Sequence, residues 1–163
     1  ALLKDGQWRD GTGLIEWRLL AGDFLAQLEA APVPDLIFFD PFSAKTDTGL
    51  WQTDVFARIH RHCQSGAAEL YTYAAGTAVR VALLRAGFFV AEGMGTGAKA
   101  TTTVAYTRRE LGLSKSGGPR WLGAEWLARW RRSGSKFPAG LDDAQQAACA
   151  DAVEHHTQFT SPA

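Results

Sequence analysis

The sequence predicts a doubly wound α/β domain with a mostly parallel sheet, a terminal antiparallel hairpin and a helical C-terminal extension. Three observations carry that expectation. Short apolar, β-branched or aromatic runs alternate with longer segments whose apolar residues recur at helical spacing. The run Leu36-Ile37-Phe38-Phe39 lies between Asp35 and Asp40 with no polar interruption, as a buried parallel strand would. The last two strand-like runs are separated by the glycine-rich Gly93–Gly97 rather than by a helix.

Leu14–Leu20 alternates roughly and reads as a strand running into the turn at Gly22-Asp23. Asp23 is placed to cap a helix over Phe24–Ala30, in which Phe24, Leu25 and Leu28 share one face. Pro32 and Pro34 end that helix and hand over to the strand Leu36–Phe39. After the polar loop Ser43–Gly49, Trp51–Cys63 places Trp51, Val55, Phe56 and Ile59 on one helical face. Glu69–Tyr73 reads as a strand, Ala78–Ala86 as a helix stopped by Gly87, and Phe88–Val90 and Thr101–Tyr106 as the hairpin strands. Ser114–Pro119 is linker-like. Trp121–Arg132 reads as a helix with Leu122, Trp126 and Trp130 at i, i+4 spacing, either a packed face or a surface for stacking nucleotide bases. Asp142–Glu154 is an alanine-rich helix capped by Asp142 or Asp143. The expected division is a partial nucleotide-binding domain over residues 1–110 and a Trp-rich helical extension over 111–163 packed on it.

A chain of 163 residues, 46% of them apolar, can bury the core of one domain. Its formal net charge of zero excludes a global electrostatic pull on nucleic acid. The basic residues cluster between Lys99 and Lys136, as a solvated helix face or as a local meeting place for phosphates. Cys63 and Cys149 make no disulfide framework, and His60 and His62 point to different helix faces, so no metal site is expected. Without a signal-like or membrane-length apolar run, an intracellular, cytoplasmic location and no membrane partner are expected.

Asp40-Pro41-Phe42 stands out. Pro41 stops the strand and fixes its own φ, which holds Asp40 at the strand's carboxyl end, where open α/β sheets gather ligands. The alternative is an Asp that only caps the following turn. No glycine-rich phosphate turn precedes Asp23. Gly11-Thr12-Gly13 lies before a strand, and Gly93–Gly97 joins two strands as a hairpin loop or a lid over a pocket. The chain therefore reads as the C-terminal portion of a nucleotide-binding domain without its first βα units. An edge strand left uncovered makes self-association an expectation.

Asp40-Pro41-Phe42-Ser43-Ala44-Lys45 with Trp51 following, Tyr71-Thr72-Tyr73-Ala74-Ala75-Gly76, Ala86-Gly87-Phe88, and Gly95-Thr96-Gly97-Ala98-Lys99 before Thr102-Thr103-Val104-Ala105 together resemble a known family. It is the methyltransferase domain of MnmC, the bifunctional tRNA wobble-uridine modifying proteins, with its stand-alone relatives. The resemblance covers Leu14 to Tyr106 and departs from the family pattern at Ala44 and at Thr46-Asp47-Thr48. It implies a Rossmann-like fold, S-adenosyl-L-methionine as cofactor and tRNA as partner. The reaction it implies is methyl transfer to the exocyclic amine of 5-aminomethyluridine at the wobble position. On this resemblance Asp40, Pro41 and Phe42 form the catalytic edge, where the carboxylate and the Pro41 carbonyl take amine hydrogens and Phe42 walls the base. Asp23, Phe24 and Asp40 are the implied cofactor contacts, and Lys45, Trp51 and Lys99 the implied substrate contacts. Two alternatives stand beside it: a methyltransferase for another amine, or a non-catalytic RNA-binding fragment.

Overall fold

The computed structural model describes residues 2–43, 46–95, 97 and 100–160, and the chain divides into two compact units, Ala1–Pro32 and Val33–Ala163. The first unit holds α1 (Leu2–Asp5), the strands β1 (Gln7–Arg9) and β2 (Glu16–Arg18), and α2 (Phe24–Leu28). β1 and β2 form an antiparallel hairpin that pairs Trp8 with Trp17 and Arg9 with Glu16. Its turn is tied by Asp10, whose carboxylate accepts from the Thr12 hydroxyl and from the backbone N–H of Thr12 and Ile15. The strand expected over Leu14–Leu20 is thus shorter, and its partner is a three-residue strand too brief to announce itself by periodicity. Asp23 caps α2 as expected, its Oδ1 accepting from the Ala26 N–H at 2.9 Å.

The second unit runs through β3 (Leu36–Phe38), a 3₁₀ turn (Gly49–Trp51), α3 (Thr53–His62), β4 (Glu69–Thr72), α4 (Thr77–Arg85), β5 (Phe89–Gly93) and β6 (Thr102–Tyr106). It continues with α5 (Arg109–Leu113), β7 (Arg120–Trp121), α6 (Ala124–Arg131), α7 (Asp143–Glu154) and α8 (Thr157–Thr160). The five strands line up in the order β3-β4-β6-β5-β7. Only β3 and β4 pair in parallel; the β4–β6, β5–β6 and β5–β7 pairs are antiparallel. The sheet is therefore mixed, and the expected mostly parallel pairing is not what forms. The cause is topological. The helical crossovers do give β3, β4 and β5 a common direction, but β6 returns from β5 and inserts between β5 and β4, which turns a parallel neighbourhood into antiparallel pairs.

The two faces of the sheet separate by the period of two along each strand. On one face Phe39 packs edge-on against Trp51 and Phe56, with ring centroids 5.4 and 5.3 Å apart, beneath the buried Val55 and Ile59 of α3. On the other, Ala91, Val104 and Tyr106 form a buried cluster with Tyr71, Phe89, Leu111 and Trp121 against it. Trp121 reaches that cluster because it belongs to β7 and not to the helix expected over Trp121–Arg132, which begins at Ala124. Its ring lies 5.3 Å from that of Tyr106, and Gly112 passes so close beneath it that a Cβ there would sit 2.7 Å from the indole. Trp126 and Trp130 stack on each other at 6.4 Å and are buried, and Trp126 also stacks on Phe159 at 6.1 Å. That stripe is a packed face. Asp142 closes a capping box with Gln145 at the start of α7.

The sheet's β5 edge is finished by one side chain from α8. Gln158 Oε1 accepts from the Val90 N–H at 2.6 Å, and its Nε2 donates to the carbonyls of Val90 and Leu122, both at 2.8 Å. A buried amide thus satisfies backbone groups beyond the reach of β7. Among the described residues no helix is long and apolar enough to cross a membrane. Replacing Gln158 by Leu strands the Val90 N–H and the Leu122 carbonyl, and should lower unfolding free energy in urea by about 2–4 kcal/mol.

Candidate functional site

The carboxyl ends of β3 and β4 come to one edge of the sheet, and the local sequence fixes how the chain leaves it. The Phe39 N–H donates to the Tyr71 carbonyl at 2.8 Å, which extends the β3–β4 ladder by one residue. Phe39 is then locked in the core, while the buried Trp51 donates its indole N–H to the Phe42 carbonyl at 2.8 Å. Between these two anchors lie Asp40 and Pro41. Asp40 is exposed, and its carboxylate takes no hydrogen bond from any described residue. The turn-capping alternative therefore has no hydrogen bond behind it among those residues.

Asp40 borders a cavity of about 400 Å³. Register places most of its lining on one sheet face, with Phe38 beside Tyr71, Tyr71 beside Val104, and Gly93 beside Thr102; Thr72, Tyr73 and Met94 complete the wall. The rings of Phe38 and Tyr71 are 5.9 Å apart. The space exists because position 93 has no side chain; a Cβ on Gly93 would overlap the Thr102 hydroxyl and lie 3.0 Å from Val104 Cγ2. Thr102 in turn donates its hydroxyl to the Met94 carbonyl at 2.9 Å, which fixes the start of the glycine-rich loop.

The tyrosine wall is held from behind. Tyr71 donates its hydroxyl to Glu69 Oε2 at 2.7 Å, and Lys115 Nζ sits 2.7 Å from Glu69 Oε1 and 2.9 Å from Oε2. Burial, followed by the hydrogen bond and charge of Glu69, pushes the Tyr71 phenol well above its ordinary range, so it stays neutral. Burial acts to raise Glu69, but hydrogen bonds from Lys115 and Tyr71 and the Lys115 charge outweigh it and hold the carboxyl below its ordinary value. Asp40 is left as the one carboxylate among the described residues that line this mainly apolar, aromatic cavity. Such a site suits an amine or cation carried on a flat apolar body.

Pro41 is half-buried and Phe42 is 78% exposed, and neither lines the cavity that Asp40 borders. Trp51 touches the site only through the Phe42 carbonyl. Lys45 and Lys99 lie outside the described residues. Asp23 and Phe24 belong to the first unit, where the Asp23 carboxylate has one oxygen engaged in the helix cap. The aromatic wall of Phe38, Tyr71 and Tyr73 was missed as a site from sequence. Its signal was the alternation in Tyr71-Thr72-Tyr73, which sends both tyrosines to one face. Among the described residues no group of three or more His, Cys, Asp or Glu side chains is placed to hold a metal ion.

An acid at the carboxyl edge of parallel strands, over a cavity lined by alternating strand residues, defines an α/β ligand-binding enzyme domain. Residues 9–108 match the family model for S-adenosyl-L-methionine-dependent methyltransferases, and the chain belongs to that family. It is MnmC-like within it. The chain is similar to the tRNA 5-methylaminomethyl-2-thiouridine biosynthesis bifunctional protein MnmC of Ralstonia nicotianae (strain ATCC BAA-1114 / GMI1000), 40% identical over 96 residues, which is 57% of this chain and 14% of that protein. Its fold is similar to the crystal structure of MnmC2 from Aquifex aeolicus, with a TM-score of 0.62 at 21% identity over 94% of this chain and 48% of that one. The chain thus spans about half of that solved structure and a smaller share of the bifunctional relative.

Two outcomes follow from this geometry. Gly93→Ala drives a methyl into the Thr102 hydroxyl and should cost about 1–3 kcal/mol in urea unfolding, the range for overpacking a close contact. Because Glu69 is held below its unfolded value of 4.5, its stabilisation is present above that pH and is lost as pH falls through the folded value. Thermal melts of Glu69→Gln from about pH 5 to about pH 3 should therefore show a shallower acid-induced fall than the parent protein.

Proposed function

We propose that this chain holds and deprotonates the amine in methyl transfer to the exocyclic amine of 5-aminomethyluridine at the tRNA wobble position. The observation that carries the reading is the Asp40 carboxylate, unengaged by any described residue, at the rim of the aromatic cavity. An aliphatic amine is largely protonated near neutral pH, and an ammonium has no lone pair for in-line attack. The site must take a proton and hold the neutral amine within attacking distance. Asp40 suits both tasks, because a carboxylate accepts hydrogen bonds from the amine and stabilises the positive charge of the methylated product. The Pro41 carbonyl takes a second amine hydrogen. Phe38, Tyr71 and Tyr73 form a wall on which an unstacked uracil rests, and the neutral phenol of Tyr71 does not compete for the proton.

S-adenosyl-L-methionine, when bound, supplies a methyl group activated on a sulfonium. Within the second unit the residues present fit such a group: an acid, Asp40, faces an apolar, aromatic cavity. Asp23 and Phe24 are proposed as adenine contacts, on the sequence resemblance. Phe42 is proposed as an outer wall for the base, and Lys45 and Lys99 as contacts to phosphate or uracil oxygens. Trp51 serves by fixing the Phe42 carbonyl. A cytoplasmic location goes with a tRNA substrate.

A second reading keeps the chemistry and changes the acceptor, since the cavity would take other amines on flat apolar bodies. Tritiated methyl recovered outside tRNA would favour it. The interaction-fragment reading loses its stacking surface, because Trp126 and Trp130 are buried. With tRNA carrying 5-aminomethyluridine, Asp40→Asn should lower methyl transfer by roughly 10²–10⁴-fold while tRNA binding persists. Near-normal turnover in that variant would remove Asp40 from the chemistry.

A further inference from the structure

Glu92 and Gly93 are consecutive on β5 and so point to opposite sheet faces. Gly93 opens onto the cavity of Asp40; Glu92 opens onto a second cavity of about 260 Å³ that Arg120, Arg129, Glu125 and Trp126 help to line. Three guanidinium groups converge on the Glu92 carboxylate. Arg120 Nη1 lies 3.1 Å from Oε2, and Arg80 Nη1 and Arg129 Nη2 lie 3.5 and 3.8 Å from Oε1. Their situations differ. Arg80 is buried, and its remaining donors are spent on the Thr103 hydroxyl at 3.1 Å, the Thr102 carbonyl at 3.0 Å and the Thr101 hydroxyl at 3.4 Å. Arg120 and Arg129 have side chains 80% and 67% exposed, and among the described residues each meets only this shared carboxylate.

With five N–H donors on each guanidinium, most of the donors of Arg120 and Arg129 stay available. Arg120 and Arg129 line this cavity with Glu92 and Glu125, and the buried Arg80 adds a third guanidinium to the Glu92 carboxylate from outside the lining. Burial lowers the Arg80 pKa most, the attraction of Glu92 opposes it, and the like charge of Arg129 lowers it further. One carboxylate, Glu92, is thus shared by three guanidinium groups, and a phosphodiester would bring a second anion to the two exposed ones.

We infer that Arg120 and Arg129 form a phosphate-binding subsite, on the sheet face opposite the Asp40 cavity, for one backbone phosphodiester of an RNA strand. The RNA source of the phosphate rests on the tRNA reading above; the anion site itself rests on the arginine geometry. Planar guanidinium pairs suit phosphate oxygens. Glu92 occupies the pair when no ligand is bound, so a phosphate must displace a carboxylate, and that competition favours polyanions over free ions.

The test is binding without turnover. A fluorescein-labelled single-stranded oligoribonucleotide is titrated by anisotropy across a sodium chloride series, and inorganic phosphate is titrated separately through tryptophan fluorescence. Four proteins are compared: the parent, Arg120→Gln/Arg129→Gln, Glu92→Gln, and Arg131→Gln, whose cation is held by Glu154 at 3.1 Å. Urea midpoints confirm that each is folded. The slope of log affinity against log salt should fall by about 0.7 in the double variant, one single-strand phosphate contact. Arg131→Gln should leave the slope unchanged, and Glu92→Gln should tighten binding by removing the competing carboxylate. An unchanged slope in the double variant, or an equal loss in Arg131→Gln, overturns the subsite and leaves the tRNA reading standing. Inorganic phosphate that binds the parent and not the double variant, with no RNA binding to the parent, keeps the anion site and overturns the RNA occupant. Absence of both overturns the inference.

Discussion

β6 lies between β4 and β5 with all five of its residues buried, and the Asp40 cavity is built on that placement. Its side chains alternate between the two faces. Thr102 and Val104 floor the Asp40 cavity, while Thr103 donates to the Ala74 carbonyl at 2.7 Å and accepts from Arg80 on the opposite side. The strand's end is tied as well: the Thr107 N–H donates to the Ala68 carbonyl at 3.0 Å, and the Ala68 N–H donates to the Thr107 hydroxyl at 2.9 Å. A one-residue slip of β6 would exchange its faces and put Thr103 under the aromatic cavity. The threonine-rich run is therefore register chemistry as much as β propensity. Three hydroxyls mark which face belongs to the ligand and which to the buried arginine.

That central placement also explains which parts of the fold could be read from sequence. Each helix and strand is a local event, and capping at Asp23 and Asp142, the Pro41 stop and the Trp51–Ile59 face were legible from a few residues each. Strand order is not local. The Gly93–Gly97 hairpin signal was correct, yet it could not say that β6 would take β4 as its second partner across about thirty intervening residues of chain. β7 escaped for another reason: two residues give no periodicity, and Trp121 borrowed the apparent spacing of the helix that follows. At the site, Asp40 was legible because it ends a strand before proline. Tyr71 and Tyr73 were legible in principle, but two tyrosines in a strand look the same whether they face a core or a cavity. Only the missing side chain at Gly93 decides between those, and that is a cross-strand fact.

The basic stretch shows why a run of charge cannot be interpreted until its partners are known. Lys115 is committed to Glu69 behind the tyrosine wall, and Arg131 to Glu154 across the surface. Arg120 and Arg129 share one carboxylate with the buried Arg80. The same composition thus contains a positioning lysine, a surface ion pair of small energetic weight and an under-neutralised arginine pair. The segment is therefore not one uniform solvated face: Lys115 and Arg131 each have a carboxylate of their own, and Arg120 and Arg129 share one.

The two cavities also differ in how they treat charge. Among the described residues the Asp40 cavity is apolar with a single acid, so an ammonium entering it meets a carboxylate and aromatic faces that both favour a cation. The Glu92 cavity is polar, with Arg120 and Arg129 beside Glu92 and Glu125. Gly93 and Glu92, adjacent on β5, give the two faces these different characters. The contrast arises from the pleat of one strand, because Glu92 and Gly93 cannot point the same way.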